Sequence, residues 1–395
     1  MPTGLRSGDP EEAGMAAPLV QHAARMVEHW VAEGHTSGLV VLVARRGVIV
    51  LHEAFGRLSP EPDAPGLPRD ALFPIASLTK PITATAVMCL VEDGLIGLNR
   101  PVQEYVPEFV GEGKEHVTVR HLLTHTSGLE EGVVRQHGAR KPRPLTVPPP
   151  AENQHSAIAE RLFLGYDVPL SQPPGVRMCY SPYSYELLGE IVRRVSGRAL
   201  GDFAAERIFR PLGMVDTHFV VPEPLRCRIA RRRPVAQADP TAYAGQYETR
   251  EFEETPSAAG GAFSTVLDMA VFGQMFLQRG TLDGVRVLGP ATVAAMTTNQ
   301  IPGVGLQFDD EYFAEASWGL GWNVHGSKQP RRGASLYSAQ AFEHNGLGGT
   351  YLWVDPTYDL VGVYFSLLLA GAPGLYAAWR ADLFSNTVTA AILDE

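Results

Sequence analysis

The sequence is short of cysteine and of long apolar runs. Its 395 residues include three cysteines, Cys89, Cys179 and Cys227, which lie far apart and form no Cys-x-x-Cys pair. This spacing argues against a disulfide framework and excludes a zinc ribbon. No apolar run reaches the ~18 residues that a membrane span needs, and the first fifteen residues contain no apolar core of a signal peptide. We therefore expect a cytoplasmic protein that does not insert into a membrane.

Positive charge is also scarce, because 33 basic residues face 43 acidic ones. The formal net charge of −10 argues against a nucleic-acid-binding surface as the main function. Hydrophobic residues make up 45% of the chain, which is enough for a large core and excludes disorder of the whole chain. The 40 glycines and 31 prolines indicate a loop-rich globular protein rather than a helical bundle.

Hydrophobic periodicity predicts strands and helices at both ends of the chain. Apolar residues at helical spacing indicate amphipathic helices, continuous apolar runs indicate buried strands, and Arg45-Arg46-Gly47 is typical of a hairpin turn. The helix that begins near Ser77 is apolar on nearly every face, which predicts that it is buried. The predicted helices are 19–31, 77–93, 265–278 and 375–393, and the predicted strands are 38–44, 48–55, 349–354 and 360–367.

Between these two ends the strand pattern fades. Helical patterns occur at residues 119–123, 158–164 and 185–195, and the proline-rich segment 141–150 predicts an extended loop. The predicted fold class is therefore α+β, an α/β/α sandwich in which an antiparallel sheet built from both chain ends is flanked by helices. The predicted domains are an α/β domain of residues 1–97 plus 257–395 and an inserted helical domain of residues 98–256.

One Ser-x-x-Lys sequence, Ser77-Leu78-Thr79-Lys80, stands at the predicted start of the buried helix. A spacing of three places both side chains on one helix face. A serine hydroxyl needs a base to act as a nucleophile, and a buried lysine can accept a proton because burial disfavours its ammonium form. The helix N-terminus also offers N–H groups to a developing oxyanion. Alone, the motif is more typical of a helix-capping serine followed by a surface lysine.

Six segments, in order along the chain, resemble the serine β-lactamase and penicillin-binding-protein superfamily. They are residues 73–80, 94–102 with 105–109, 119–129, 174–175 with 180–189, 258–265, and 344–350. The pattern is most similar to class C β-lactamases, family VIII carboxylesterases and D-stereospecific peptidases. The resemblance implies a β-lactamase/transpeptidase-like fold, with Ser77 as the nucleophile that forms an acyl-enzyme and Lys80 as its activating partner.

Tyr180 matches the tyrosine of the superfamily's second motif, which acts as a phenolate-like general base beside the lysine. In that role Tyr180 takes the Ser77 proton and later returns it to the leaving group. The residues alone also allow a core aromatic at this position, and two tyrosines follow closely at 183 and 185. Pro182 replaces the usual asparagine, whose amide contacts the substrate's amide. This departure counts against β-lactam or peptide turnover, whereas ester hydrolysis does not need that contact.

His344-Asn345-Gly346 matches the third motif, which in β-lactamases is Lys-Thr-Gly. The resemblance implies that this strand edge lines the site and that Leu347 supplies an oxyanion N–H together with that of Ser77. His344 would replace a fixed cation with a group that titrates near neutral pH. A neutral histidine binds a substrate carboxylate poorly, which weakens the β-lactamase interpretation. The alternative is a structural histidine at the start of a strand.

No metal and no cofactor are expected. His121 and His125 have the i, i+4 spacing of metal ligands, but no third ligand is evident nearby. The resemblance implies that this segment forms a structural turn beneath the helical region.

The leading hypothesis is a carboxylesterase that acts on short- or medium-chain acyl esters, with residues 142–150 and 307–340 shaping its acyl pocket. A D-amino-acid peptidase or other amidase, a β-lactamase, and an acyltransferase that uses the same Ser-Lys-Tyr site remain alternatives, as does a non-catalytic scaffold. The expected partner is a small-molecule ester or amide, with neither nucleic acid nor membrane, and the oligomeric state is left open.

Overall fold

The structure is a computed structural model that describes residues 4–142, 146–232, 249–308, 311–328, 334–368 and 374–394. Its strands are β1 (Arg6–Ser7), β2 (Thr36–Arg45), β3 (Val48–Gly56), β4 (Phe73–Pro74), β5 (Phe263–Ser264), β6 (Thr281–Leu282), β7 (Val285–Arg286), β8 (Leu306–Phe308), β9 (Glu311–Phe313), β10 (Asn323–Val324), β11 (Phe342–Gly346), β12 (Thr350–Asp355) and β13 (Leu360–Leu368). Its α-helices are α1 (Ala17–Ala32), α2 (Thr79–Glu92), α3 (Val119–Leu123), α4 (Glu131–Arg140), α5 (Ser156–Gly165), α6 (Pro182–Ser196), α7 (Leu200–Ala204), α8 (Arg210–Leu212), α9 (Arg250–Glu254), α10 (Val266–Leu277), α11 (Pro290–Met296) and α12 (Gly374–Thr389).

The central sheet has seven strands in the order β1-β3-β2-β13-β12-β11-β10. The two chain ends meet where β2 pairs antiparallel with β13, with Arg45 opposite Leu360. A sheet built from both chain ends is therefore confirmed. The edge strand β1 pairs parallel with β3 and was not predicted, because two residues are too few to show a hydrophobic period.

Strand β2 shows why the sheet is covered on both faces. Val40 and Leu42 pack into one apolar core with residues of α2 and α10, whereas Leu39 and Val41 pack into a second core with residues of α1 and α12. Successive side chains of a strand point to opposite faces, so a continuous apolar run requires helices on both sides. The predicted α/β/α sandwich is thus confirmed.

Helices fill the middle of the chain. Residues 98–256 contain α3 to α9, and the described part of this stretch holds no sheet strand. The helical patterns at 119–123, 158–164 and 185–195 correspond to α3, α5 and α6. The domain boundaries at 97/98 and 256/257 stay a prediction.

No helix within the described ranges is both long and apolar enough to cross a membrane. The cytoplasmic location stays a prediction.

The Arg45 side chain ties the two chain ends together beneath the β2–β3 turn. Only 1% of this residue is exposed, and its guanidinium donates to the backbone carbonyls of Ala13, Gly14, Tyr358 and Asp394. It also donates to a carboxylate oxygen of Asp394 at 2.6 Å. A buried cation with five hydrogen bonds is costly to remove, because its acceptors are left without a partner.

We predict that Arg45→Met lowers the free energy of unfolding by about 3 kcal/mol, since several carbonyl acceptors lose their donor. The matched control is Arg46→Met. Arg46 pairs with the same Asp394 carboxylate, but its side chain is 37% exposed, so little change is expected. Urea denaturation of both variants measures the difference, and equal effects would contradict the assignment of Arg45 as the tie between the chain ends.

Candidate active site

Ser77 and Lys80 lie side by side where the chain enters α2. Ser77 belongs to the short 3-10 turn Ala76–Leu78, and Lys80 lies in the first turn of α2. Lys80 Nζ is 2.9 Å from Ser77 Oγ and donates to the carbonyl oxygen of Ala259 at 2.7 Å. The contact predicted from the three-residue spacing is therefore formed.

Ala76, the residue before the serine, has a φ of +48°. A non-glycine residue in the left-handed region is strained, and such strain persists only where the surroundings hold it. On this turn the partly exposed Ser77 is presented at the end of a helix whose first turns are buried. The turn therefore keeps Ser77 partly exposed while the lysine beside it stays buried.

Lys80 is fully buried, and this sets its chemistry. Burial lowers the pKa of its ammonium from 10.5 to about 7, although the Glu131 and Glu186 carboxylates oppose the shift. Removal from water disfavours the charged form of an amine. A large fraction of Lys80 is therefore uncharged at neutral pH and can accept a proton from Ser77.

The carboxylate of Glu186 on α6 fixes the segment that faces Lys80. It accepts hydrogen bonds from the Ser257 hydroxyl and from the N–H of Ala258, next to the Ala259 carbonyl that contacts Lys80. Arg161 lies between the two carboxylates, 3.4 Å from Glu186 and 3.5 Å from Glu131. The two carboxylates moderate the fall of the Lys80 pKa, whereas the positive charge of Arg161 lowers that pKa further.

Tyr180 faces the lysine from the loop before α6. Lys80 Nζ lies 4.8 Å from the centre of the Tyr180 ring. The hydroxyls of the two neighbouring tyrosines are bound to backbone carbonyls. That of Tyr183 donates to the carbonyl of Leu162, and that of Tyr185 donates to the carbonyl of Leu123. Of the three tyrosines in this motif, Tyr180 is the partly exposed one and the other two are buried.

Pro182 is the first residue of α6, where its ring fits the helix and its lack of an N–H removes no helical hydrogen bond. Ser181 caps the same helix by accepting the N–H of Ser184. The position therefore has a structural use for proline, and it offers a substrate no side-chain donor.

Strand β11 brings the third motif against the Ser77 turn. A Cβ atom on Gly346 would lie 2.2 Å from the carbonyl oxygen of Ile75 and 2.2 Å from Oγ1 of Thr350. Only glycine permits this approach. The strand ends at Gly346, so Leu347 follows directly at this contact, and this residue is 41% exposed. Asn345 is also exposed.

The family of the chain is shown by a match over most of its length. A family model described as Beta-lactamase matches residues 23–385 of the chain. The chain belongs to the beta-lactamase family. It is a serine hydrolase of that family.

Individual relatives cover most of the chain. An uncharacterized protein of Mycobacterium tuberculosis is 30% identical over 89% of this chain and 90% of its own length. Esterase EstB of Burkholderia gladioli is 29% identical over 87% of this chain and 89% of its own length. Among solved structures, a penicillin-binding-protein homologue from Caulobacter crescentus has a TM-score of 0.73 and 23% identity, covering 96% of this chain and 99% of the other.

The structure places His344 in the middle of β11, where it is only 2% exposed. Burial and the nearby charge of Lys80 lower the pKa of its imidazole to about 3, against a hydrogen bond from Nδ1–H to the carbonyl of Asn345. The expectation that His344 titrates near neutral pH is therefore wrong, because the buried imidazole stays uncharged.

Two further rings contact Tyr180. The His125 ring lies 4.4 Å from the Tyr180 ring, and the Trp318 ring meets Tyr180 edge-on at 6.2 Å. Trp318 also meets His344 edge-on at 5.7 Å. No motif in the sequence marks Trp318. His125 belongs to a recognised segment, but its contact with Tyr180 joins residues 55 positions apart and has no sequence signal.

No group of three or more His, Cys, Asp or Glu side chains in the described part of the chain is placed to hold a metal ion. The two candidate histidines accept backbone hydrogen bonds instead. His121 Nδ1 accepts the N–H of Thr118 at 3.2 Å, and His125 Nδ1 accepts the N–H of Ser181 at 3.0 Å.

The proline-rich loop lines a cavity of about 480 Å³ together with residues of α5 and α6. Val147, Pro148 and Pro149 contribute to this cavity, whereas the candidate catalytic side chains are not among its lining residues. Residues 143–145 of the loop, and 309–310 and 329–333 of the second predicted segment, lie outside the described residues. The contribution of both segments to an acyl pocket stays a prediction.

We predict that Gly346→Ala slows covalent labelling of Ser77 by a fluorophosphonate about 10- to 100-fold. The added methyl group must push β11 away from Ile75. A displacement of about 1 Å in a preorganised site can lower the reaction rate by about a hundredfold. The matched control is Gly260→Ala, whose Cβ would meet the Ala76 backbone at an ordinary 3.5 Å. Labelling of the control should stay close to that of the wild type, and equally slow labelling of both variants would contradict this account of Gly346.

Proposed function

We propose that the protein is a carboxylesterase that hydrolyses short- or medium-chain acyl esters through an acyl-enzyme on Ser77. The observation that carries the proposal is the 2.9 Å contact between Ser77 Oγ and the amine of Lys80, whose pKa is about 7. An uncharged amine at this distance accepts the serine proton as the attack on the substrate begins.

In the proposed acylation step, Ser77 Oγ attacks the carbonyl carbon of the ester while its proton passes to the Lys80–Tyr180 pair. The carbonyl oxygen becomes an oxyanion, which the N–H groups of Ser77 and Leu347 bind. When the bond between the acyl carbon and the alcohol oxygen breaks, Tyr180 returns the proton to that oxygen. The alcohol leaves, and the acyl group remains on Ser77.

In the proposed deacylation step, a water molecule loses a proton to the same Lys80–Tyr180 pair. The resulting hydroxide attacks the acyl carbon, and the bond to Ser77 Oγ breaks. The serine oxygen takes the proton back, and a carboxylic acid is released. One water molecule is consumed for each ester, and the enzyme returns to its starting protonation state.

Two residues favour esters over amides and β-lactams. His344 is buried and uncharged, so it supplies no cation for a substrate carboxylate. Pro182 supplies no side-chain donor or acceptor for a substrate amide. The similarity to Esterase EstB supports the same choice. Hydrolysis of D-amino-acid peptides and acyl transfer to an alcohol use the same steps with a different leaving group or acceptor.

We predict that rapid mixing with a series of p-nitrophenyl acyl esters raises the intact mass of the protein by the mass of the acyl group. Because the acyl group is carried by Ser77 Oγ, the Ser77→Ala variant should show no adduct and no turnover. We expect kcat/KM for the best ester to exceed that for the β-lactam nitrocefin by at least about a hundredfold, because neither Pro182 nor the uncharged His344 offers a partner to an amide or a carboxylate.

The control is Ser385→Ala, which removes a buried serine of α12 whose hydroxyl donates to the carbonyl of Ala381. This variant should form the adduct as the wild type does. Full activity of Ser77→Ala would contradict the mechanism. Nitrocefin turnover as fast as ester turnover would contradict the preference for esters and would favour a β-lactamase or peptidase.

A further inference from the structure

His125 holds the chain on both sides of Tyr180. Its carbonyl oxygen accepts the N–H of Cys179 at 2.8 Å, and its Nδ1 accepts the N–H of Ser181 at 3.0 Å. Its ring lies against the Tyr180 ring, with 4.4 Å between centres and 33° between planes. One fully buried residue therefore contacts the residue before Tyr180, the residue after it and the Tyr180 side chain itself.

The backbone of His125 is strained to make these contacts. Its φ of +57° lies in the left-handed region, which is uncommon for a residue other than glycine. Such conformations cost free energy and persist where the surrounding structure fixes them, frequently at functional sites. The strained residue is thus the one whose hydrogen bonds connect the segment after α3 to the loop that carries Tyr180.

His125 is uncharged, which its hydrogen bond with Ser181 requires. A nitrogen that accepts an N–H cannot itself carry a proton, so the imidazole proton resides on Nε2. Burial lowers the pKa of His125 well below its usual value, and the nearby charge of Lys80 acts in the same direction. The acceptor at Nδ1 is therefore present at neutral pH.

We propose that His125 is a positioning residue that fixes Tyr180 beside Lys80. This inference rests on the proposed function, because it takes Tyr180 as the group that returns the proton to the leaving alcohol. The Tyr180 ring lies 4.8 Å from the lysine nitrogen, and a shift of about 1 Å in a catalytic group costs up to about a hundredfold in rate. The His125 ring lies 4.4 Å from that of Tyr180, 5.0 Å from that of Tyr185 and 5.3 Å from that of Trp318. Because the contact with Tyr180 is the shortest and both hydrogen bonds flank Tyr180, the loss of His125 is expected to act through Tyr180.

The dependence of the rate on the leaving group separates this role from a purely structural one. An alkyl alcohol must be protonated as it leaves, whereas p-nitrophenol is stable as its anion and needs little help from an acid. A misplaced Tyr180 therefore slows acylation by an alkyl ester much more than acylation by a p-nitrophenyl ester with the same acyl group. A variant that is merely less well folded loses activity on both esters by the same factor.

The experiment measures kcat/KM for an ethyl ester and a p-nitrophenyl ester of one acyl group. For His125→Ala we expect a fall of about a hundredfold with the ethyl ester and less than about tenfold with the p-nitrophenyl ester. His125→Asn should recover most of the loss, because asparagine tolerates the left-handed conformation and offers an acceptor close to the position of Nδ1.

The matched control is His121→Ala, which removes an imidazole that accepts the Thr118 N–H at the start of α3. Its ratio of the two kcat/KM values should equal that of the wild type. Equal losses on both esters in His125→Ala would overturn the proposal. If that variant does not fold, the ratio of the two kcat/KM values is measured on His125→Phe, which keeps a ring but has no acceptor for the Ser181 N–H. A ratio equal to that of the wild type would also overturn the proposal.

Tyr180→Phe distinguishes failure of this inference from failure of the proposed function. If Tyr180→Phe shows the leaving-group effect and His125→Ala does not, Tyr180 returns the proton without depending on His125. If Tyr180→Phe keeps full activity on both esters, the assignment of Tyr180 itself is wrong and the positioning role falls with it.

Discussion

The burial of one amine, that of Lys80, is the constraint on which the site depends. Three parts of the chain meet at this nitrogen: the start of α2 with Ser77, the segment that ends in the Ala259 carbonyl, and the loop that carries Tyr180. Water is excluded there, so the charged form of the lysine is disfavoured and the pKa falls to about 7. Glu131 and Glu186 act from a distance and keep the pKa from falling further. An amine in this state can take a proton from a serine and give it up again.

The fold explains why these parts meet. The sheet is assembled from both chain ends, so β11, near the end of the chain, packs beside the turn that carries Ser77 near its beginning. Gly346 allows the two backbones to touch, and the same burial that lowers the pKa of Lys80 keeps His344 uncharged. The uncharged state of His344 matters for Lys80, since a cation at His344 would push the pKa of Lys80 lower still.

Much of this arrangement could be predicted from the sequence. The spacing of Ser77 and Lys80 predicts their contact, and strongly apolar runs predict α2, β2 and β13 within a few residues. Strands β10 and β11 could not be predicted in this way, because Glu343, His344 and Asn345 are polar and their extended state is imposed by pairing with β12. The charge state of His344 also has no local signal, since it follows from tertiary burial and from Lys80. The contacts of His125 with Tyr180 and its neighbours likewise form only once α3 and α6 have packed together.

The most direct test of the central claim is a titration of the Lys80 amine itself. The carbon chemical shift of its ε-methylene group is followed by NMR from pH 5 to 11 in protein labelled with ¹³C-lysine, and Lys80→Arg assigns the signal by removing it. Burial against Ser77 predicts a midpoint near pH 7, with the ammonium below and the free amine above. A midpoint near the ordinary value of 10.5 would show that the lysine stays charged at neutral pH, and the account of Lys80 as the proton acceptor for Ser77 would then be wrong.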